Sequence, residues 1–274
     1  MAHSRLYFHV SSSLGNWREK IRKRYQLPEY KWWRDWNKSV IFFGLYRPSD
    51  YLKFFLHRGE KTVIWCGSDI ILGGRLFHLV KRFKARHICE NRLEQRILSM
   101  LLGGIEPEVR PQFFNDFSKY PISYKPSPRP HVWLCIHEGH GAERQGGLHI
   151  LGNIASRLPE ITFHVYGLGW PEYLCLESCP NNVLVHGMVS EEQMDKEIQD
   201  YQCGLRLHEF DGFSEVTAKS ILMGQYPITR IPFPHIDSYR NTDELIGLLR
   251  ALKDKKEPNY QAGEWWYKEL SRPL

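Results

Sequence analysis

Between Leu205 and Gly224 an apolar segment leads through His208, Glu209 and Asp211 into a Gly212-Phe213-Ser214 turn, followed by a helical stretch that a glycine closes. A strand, a glycine turn and a helix in that order aim the first N–H groups of the helix, and its positive dipole end, at whatever lies above the sheet. A phosphate-bearing ligand is the usual occupant of such a place. The same residues also suit an ordinary strand–turn–helix crossing with Asp211 as a helix cap. A second stretch, His137 to Gly147, is a glycine-rich loop after the apolar run Val132 to Ile136. Its backbone N–H groups and Arg144 could face an anion, although a solvated glycine loop has the same composition.

The Leu205–Gly224 segment resembles the nucleotide-sugar site of retaining GT-B glycosyltransferases of the family-four type (glycosyl transferases group 1-like). Those enzymes carry acid-Gly-Phe-Gly, a second acid further along the helix, and then Ala-x-x-x-Gly. Asp211, Gly212 and Phe213 match the start and Gly224 the end, while Lys219 stands where the second acid holds the ribose hydroxyls. A cation accepts no hydrogen bond from a diol, so Lys219 is expected to reach a phosphate instead. The resemblance implies that Asp211 orients the donor sugar, with Phe213 and Ser214 offering N–H groups beside it. It implies that Gly187 and Met188 hold the nucleobase through backbone groups. The basic pair that grips the donor diphosphate falls on Arg144 and Gln145, the latter in place of the usual lysine; Arg206 is close enough in sequence to supply the missing charge. The resemblance further implies a UDP-sugar co-substrate, retention of configuration, and neither a cofactor nor a metal.

Two further groups lie in the first half. Gly67-Ser68-Asp69 follows the apolar run Thr62 to Cys66, which makes Asp69 a candidate to orient or deprotonate an acceptor hydroxyl, against the commoner role of a capping Asp. His9, at the end of another apolar run, is a lesser candidate. The segment Trp17 to Lys38 interleaves Arg18, Arg22, Lys23 and Arg34 with Trp32, Trp33 and Trp36. Basic residues bind phosphates while aromatics stack on bases or wedge a duplex; the same mixture suits an anionic bilayer, with indoles at headgroup level. The alternative is a solvated basic helix with its aromatics in the core. Arg18, Arg22, Lys23, Trp32, Trp33 and Arg34 are thus the expected acceptor-binding residues.

The elements that must position these groups alternate. Strands are expected at 5–10, 40–44, 62–66 and 86–89, with helices at 17–25, 49–58, 73–83 and 91–102. The pattern restarts with strands at 132–136, 161–166 and 183–186 and helices at 148–157, 191–201 and 241–253. Prolines 121, 126, 128 and 130 mark a linker, so the expected domains are 1–125 on the acceptor side and 126–274 on the nucleotide-sugar side. This predicts an α/β GT-B protein, two Rossmann-like parallel-sheet domains facing across a cleft, with the Trp265-Trp266-Tyr267 tail packing back across both.

Charge separates the halves sharply. Residues 1–125 hold 23 Lys and Arg against 11 Asp and Glu, or +12; the remainder holds 14 against 20, or −6, summing to the net +6. Such asymmetry concerns partners rather than fold, and it points the first half at a polyanion. The expected function is sugar transfer to a hydroxyl, with hydroxymethylated pyrimidines in DNA favoured over an anionic membrane surface. A membrane-lipid or polysaccharide acceptor, or a non-catalytic sugar-nucleotide or nucleic-acid binder, are the alternatives. No apolar run approaches the roughly 20 residues of a membrane span. The six cysteines show no secreted framework, and Cys175 and Cys179 lack a second ligand pair, so a cytoplasmic protein with reduced thiols is expected.

Overall fold

A computed structural model describes residues 6–15, 17–136, 147–167, 180–270 and 272. The chain divides into two compact units: residues 1–116 with Asp211–Phe213, and residues 117–210 with 214–274. The division thus falls after 116 rather than after 125. The proline-rich stretch belongs to the second unit, where Tyr124 is buried and its hydroxyl donates to the Lys255 carbonyl.

The first unit is a five-stranded parallel sheet in the order β1 (Leu6–Val10), β2 (Ser39–Phe43), β3 (Lys61–Ile64), β4 (Arg86–Cys89) and β5 (Glu108–Val109). Its helices are α1 (Trp17–Tyr25), α2 (Trp32–Asp35), α3 (Pro48–Leu56), α4 (Ser68–Leu72), α5 (Phe77–Val80) and α6 (Arg92–Leu101). The strands read as near-continuous apolar runs because both faces of a parallel sheet are covered, and Phe8, Phe42, Phe43, Val63, Ile64 and Ile88 are all buried. The continuous helix expected at 73–83 is instead broken. Gly73 closes α4 and Gly74 has φ +45°, so the chain passes through a short 3₁₀ turn before α5.

In the second unit the strands are β6 (His131–Cys135), β7 (Thr162–Tyr166), β8 (Val183–Gly187), β9 (Cys203–Arg206), β10 (Ile228–Thr229) and β11 (Asp237–Ser238). They form one parallel sheet in the order β11-β10-β9-β6-β7-β8. The helices are α7 (Leu148–Ser156), α8 (Glu191–Glu197), α9 (Glu215–Leu222), α10 (Thr242–Ala251) and α11 (Tyr260–Leu270). Valine, isoleucine and leucine from β6, β7, β9, α7 and α10 make one core. The expected capping box at Ser190 is realised on one side: the Ser190 hydroxyl accepts from the Gln193 N–H and starts α8. The tail forms α11, which buries Ala262 and Trp266 and packs against α9 within this unit.

Strand order in this sheet reverses between β6 and β9. In open parallel sheets ligands bind at the carboxyl ends of the strands flanking such a reversal.

Candidate functional site

At the reversal in the second unit, Arg206 ends β9 and donates from Nη1 to the Cys135 carbonyl at the end of β6, 3.2 Å away. One guanidinium therefore sits at the carboxyl ends of both strands that flank the switch point. Ser214 caps α9, its hydroxyl accepting from the Thr217 N–H at 3.2 Å. That leaves the positive end of an eight-residue helix next to the reversal. Gly147 opens α7 with φ +71°, and a Cβ there would meet Leu207 at 2.3 Å, so only glycine lets α7 start this close to the end of β9. Arg144 and Gln145 lie outside the described residues, as do Cys175 and Cys179. Gly187 ends β8 with φ +68°, its carbonyl accepting from the Gly167 N–H at 2.9 Å, and Met188 beyond it is exposed.

Lys219 is engaged elsewhere than expected. It is 1% exposed, and Nζ lies 2.7 Å from Asp195, 3.1 Å from Glu191 and 3.9 Å from Glu215. Burial works against its charge, but Asp195 and Glu215 outweigh that and raise its pKa. The ammonium also stands 5.5 Å above the Tyr120 ring. Lys219 is thus the buried tie between α8 and α9, and its donors are spent on carboxylates, which corrects the expected phosphate contact.

Asp211, Gly212 and Phe213 cluster with the first unit, gripped by residues that follow β4. Asn91 Nδ2 donates to the Asp211 carbonyl at 2.8 Å, and the Phe213 N–H donates to Glu90 Oε2 at 3.0 Å. A Cβ on Gly212 would stand 1.7 Å from that same oxygen, so a side chain there would displace the Glu90 carboxyl from the Phe213 N–H. The Asp211 carboxylate accepts from the Gly212 N–H at 3.0 Å. The Phe213 N–H, expected to be offered to a ligand, is therefore held by a carboxyl of the protein itself.

Glu90 and Glu94 are buried, and Glu94 Oε2 accepts from the Glu90 N–H at 2.7 Å. Burial pushes both carboxyls well up; for Glu90 the Asp211 and Asp69 charges add to this, for Glu94 the Glu90 charge does. Asp69 is wholly buried too, and burial pushes its pKa up to about 7 against hydrogen bonds from the Leu45 and Cys66 N–H groups. Those bonds, 3.1 and 3.0 Å, tie two strand exits together at the start of α4. Asp69 is therefore a structural cap with no face toward an acceptor, which corrects its catalytic assignment. His9 is likewise internal, its Nε2 lying 2.9 Å from Asp50, which also accepts from the Ser11 hydroxyl.

The expected acceptor-binding residues lie on the first unit in two groups. Arg22 and Lys23 flank Glu19 on α1, at 2.7 and 3.8 Å, and Arg18 pairs with Glu29 at 3.4 Å. Arg34 pairs with the buried Asp35 at 2.9 Å, while Trp32 and Trp33 stand out from α2.

Sequence reasoning missed two clusters. Glu90 and Asn91 follow β4 at the same strand-exit position that drew attention to Asp69, so the signal was present. The second is a row of imidazoles across β6, β7 and β8. His131 Nδ1 lies 2.8 Å from His164 Nε2, and His164 Nδ1 lies 2.9 Å from His186 Nε2. Tyr201 stacks on His164 with ring centroids 4.3 Å apart. Burial, reinforced by the neighbouring imidazoles, depresses the His164 pKa to about 3. Single histidines in three separate strands carry no spacing signal. Among the described residues no group of three or more His, Cys, Asp or Glu is placed to hold a metal ion.

No protein-family model matches the chain, and no curated protein does. Solved structures do. The lipopolysaccharide outer core galactosyltransferase WaaB superposes with a TM-score of 0.61 at 15% identity, covering 84% of this chain and 73% of that one. An α,α-trehalose-phosphate synthase (UDP-forming) from Burkholderia xenovorans gives 0.62 at 8% identity, covering 94% and 78%. The fold is GT-B. TarM gives 0.57 at 11% identity over 84% of this chain and 50% of its own, so this GT-B chain spans about half the length of that neighbour. The two parallel sheets agree with the expectation from the Leu205–Gly224 segment. At these identities the likeness establishes the GT-B fold alone.

Proposed function

We propose that this GT-B protein transfers a hexose or related sugar from a nucleotide diphosphate sugar to a hydroxyl acceptor. The observation that carries the reading is the guanidinium of Arg206 bridging the ends of β9 and β6, beside the Ser214-capped start of α9 and at the strand-order reversal of the second sheet. A cation and a helix N-terminus stabilise the charge that grows on a departing diphosphate. In the transfer, the acceptor oxygen bonds to the anomeric carbon as the bond from that carbon to the diphosphate oxygen breaks. The hydroxyl proton passes to the departing diphosphate, so no enzyme carboxylate has to take it and retention of configuration follows from same-face attack. Arg206 and the backbone N–H groups supply the neutralisation that a metal gives in other transferases. Arg144 and Gln145 extend the diphosphate grip, Gly187 and Met188 take the base, and Asp211 orients the sugar. We take the donor to be a UDP-sugar, by analogy with the UDP-forming trehalose-phosphate synthase of similar fold.

Two acceptor readings rest on different observations. The +12 balance of residues 1–125 favours a polyanion, and hydroxymethylated pyrimidines in DNA are polyanions that offer a hydroxyl. The exposed tryptophans and leucines of the first unit favour an acceptor at a membrane surface, lipid or polysaccharide, and this is the reading the geometry supports better. Nucleotide sugars incubated with hydroxymethylated DNA, or with anionic lipid vesicles and membrane glycolipid extract, test both by mass spectrometry of acceptor and released nucleotide. A hexose shift on one acceptor fixes its class. No release of nucleotide diphosphate from any donor would overturn the transferase reading and leave a sugar-nucleotide binder.

A further inference from the structure

The face built by α2 and the carboxyl half of α3 is apolar where a soluble domain is normally polar. Trp32, Trp33 and Trp36 are 47%, 66% and 42% exposed, and Leu52 and Leu56 are 58% and 53% exposed. With Tyr30 and Arg58, the three tryptophans and Leu56 line an open hollow of about 400 Å³. Contiguous apolar surface of this kind marks an interaction site. The local fold holds it open. Asp35 accepts from the Lys31 N–H and from the Arg34 guanidinium, which fixes the single turn of α2. The Arg58 and Gly59 N–H groups both bond the Trp36 carbonyl, which ties the far end of α3 to the same turn.

Charge chooses the partner. Lys31, Arg34, Lys38 and Arg58 are exposed around the apolar residues. The acid among residues 30–38 is Asp35, which is buried and held by Arg34, and residues 51–59 contain no acid. Glu60, beyond the rim, takes the Ser39 hydroxyl. A cationic rim around indoles and leucines complements a surface that is anionic at its headgroups and apolar beneath them. Nucleic acid fits less well. The Trp32 and Trp33 rings stand at 89° to one another, so they present no parallel ladder for successive bases, and Leu52 and Leu56 have no counterpart on a phosphate backbone.

We propose that the Trp32–Trp36 face, with Leu52 and Leu56, docks the protein on an anionic membrane. Trp32, Trp33 and Trp36 sit at headgroup level, the leucines reach the acyl boundary, and Lys31, Arg34, Lys38 and Arg58 meet lipid phosphates. The docking stands whether or not the transfer reaction does. Sedimentation with phosphatidylcholine vesicles, with and without phosphatidylglycerol, tests it on the intact chain. Binding is expected to the phosphatidylglycerol vesicles, with a blue shift of tryptophan emission and loss at high salt. Trp33→Ser with Leu56→Ser is expected to weaken it about tenfold or more, and Lys31→Glu with Arg58→Glu by a similar factor. The altered side chains are exposed, and circular dichroism checks that both variants stay folded; should the serine variant unfold, the charge variant carries the test. Equal binding to neutral vesicles, no binding to either, or binding to duplex DNA that the same variants abolish would each overturn the proposal.

Discussion

The row of imidazoles in the second sheet predicts a pH dependence that one substitution isolates. His164 is buried between His131 and His186 and under Tyr201, and burial depresses its pKa from 6.5 to about 3. In the unfolded chain the ring takes a proton as pH falls through 6.5, whereas in the fold it stays neutral until about 3. Within that window the unfolded state binds the extra proton, so stability is full above 6.5 and is lost as pH falls. Each pH unit removes about 1.4 kcal/mol, so going from pH 7 to 4.5 removes roughly 2–3 kcal/mol through this one group. His131, also depressed by burial, loses stability in the same direction. Glu197, whose pKa hydrogen bonds from Gln193 and Tyr166 lower, does likewise near its own range. Replacing His164 with glutamine keeps a polar side chain and removes the titration. Urea unfolding at pH 7 and 4.5, following the transition of the second unit by far-UV circular dichroism, gives the stability of each protein. The advantage of wild type over His164→Gln is expected to shrink by roughly 2–3 kcal/mol between the two pH values. An advantage unchanged across that interval would refute the claim that the fold holds His164 neutral.

Two further outcomes follow from named contacts. Gly212→Ala places a methyl against Glu90 Oε2 and is expected to cost about 1–3 kcal/mol in thermal unfolding; adding Glu90→Ala should recover part of that loss, and strictly additive effects would argue against the contact. Lys219→Met leaves Asp195, Glu191 and Glu215, all partly solvated, without their shared cation and is expected to cost about 1–3 kcal/mol. Lys219→Glu, which restores the acid of the resembled motif, should be worse still by chemical denaturation, and a stabilised Lys219→Glu protein would contradict the ion-pair assignment.

The alternation of apolar runs, the glycine turns and the cap at Ser190 were legible because each depends on local chemistry: strand periodicity, left-handed φ and side-chain-to-backbone bonding over a few residues. The strand–turn–helix around Gly212 is local in the same way, and its resemblance to a family motif carried the GT-B expectation. The charge asymmetry was legible too, since counting needs no fold. Burial was not. Asp69 reads as a candidate base in the sequence, and only the tertiary structure turns it inward to cap two strand exits; Lys219 reads as a phosphate contact, and only the packing of α8 on α9 surrounds it with three carboxylates. Glu90 and Asn91 gained their grip on Asp211–Phe213, and the histidines of three strands their contact, from pairings across long stretches of sequence. Which tryptophans face water was equally a tertiary matter: Trp266, on α11, is buried whereas Trp33 stands in solvent, though each is the second of two adjacent tryptophans in the sequence. Sequence thus determined the elements and their order, because those interactions are short-range, and the tertiary structure decided which ionisable and aromatic groups are left in contact with solvent, because desolvation depends on everything packed around them.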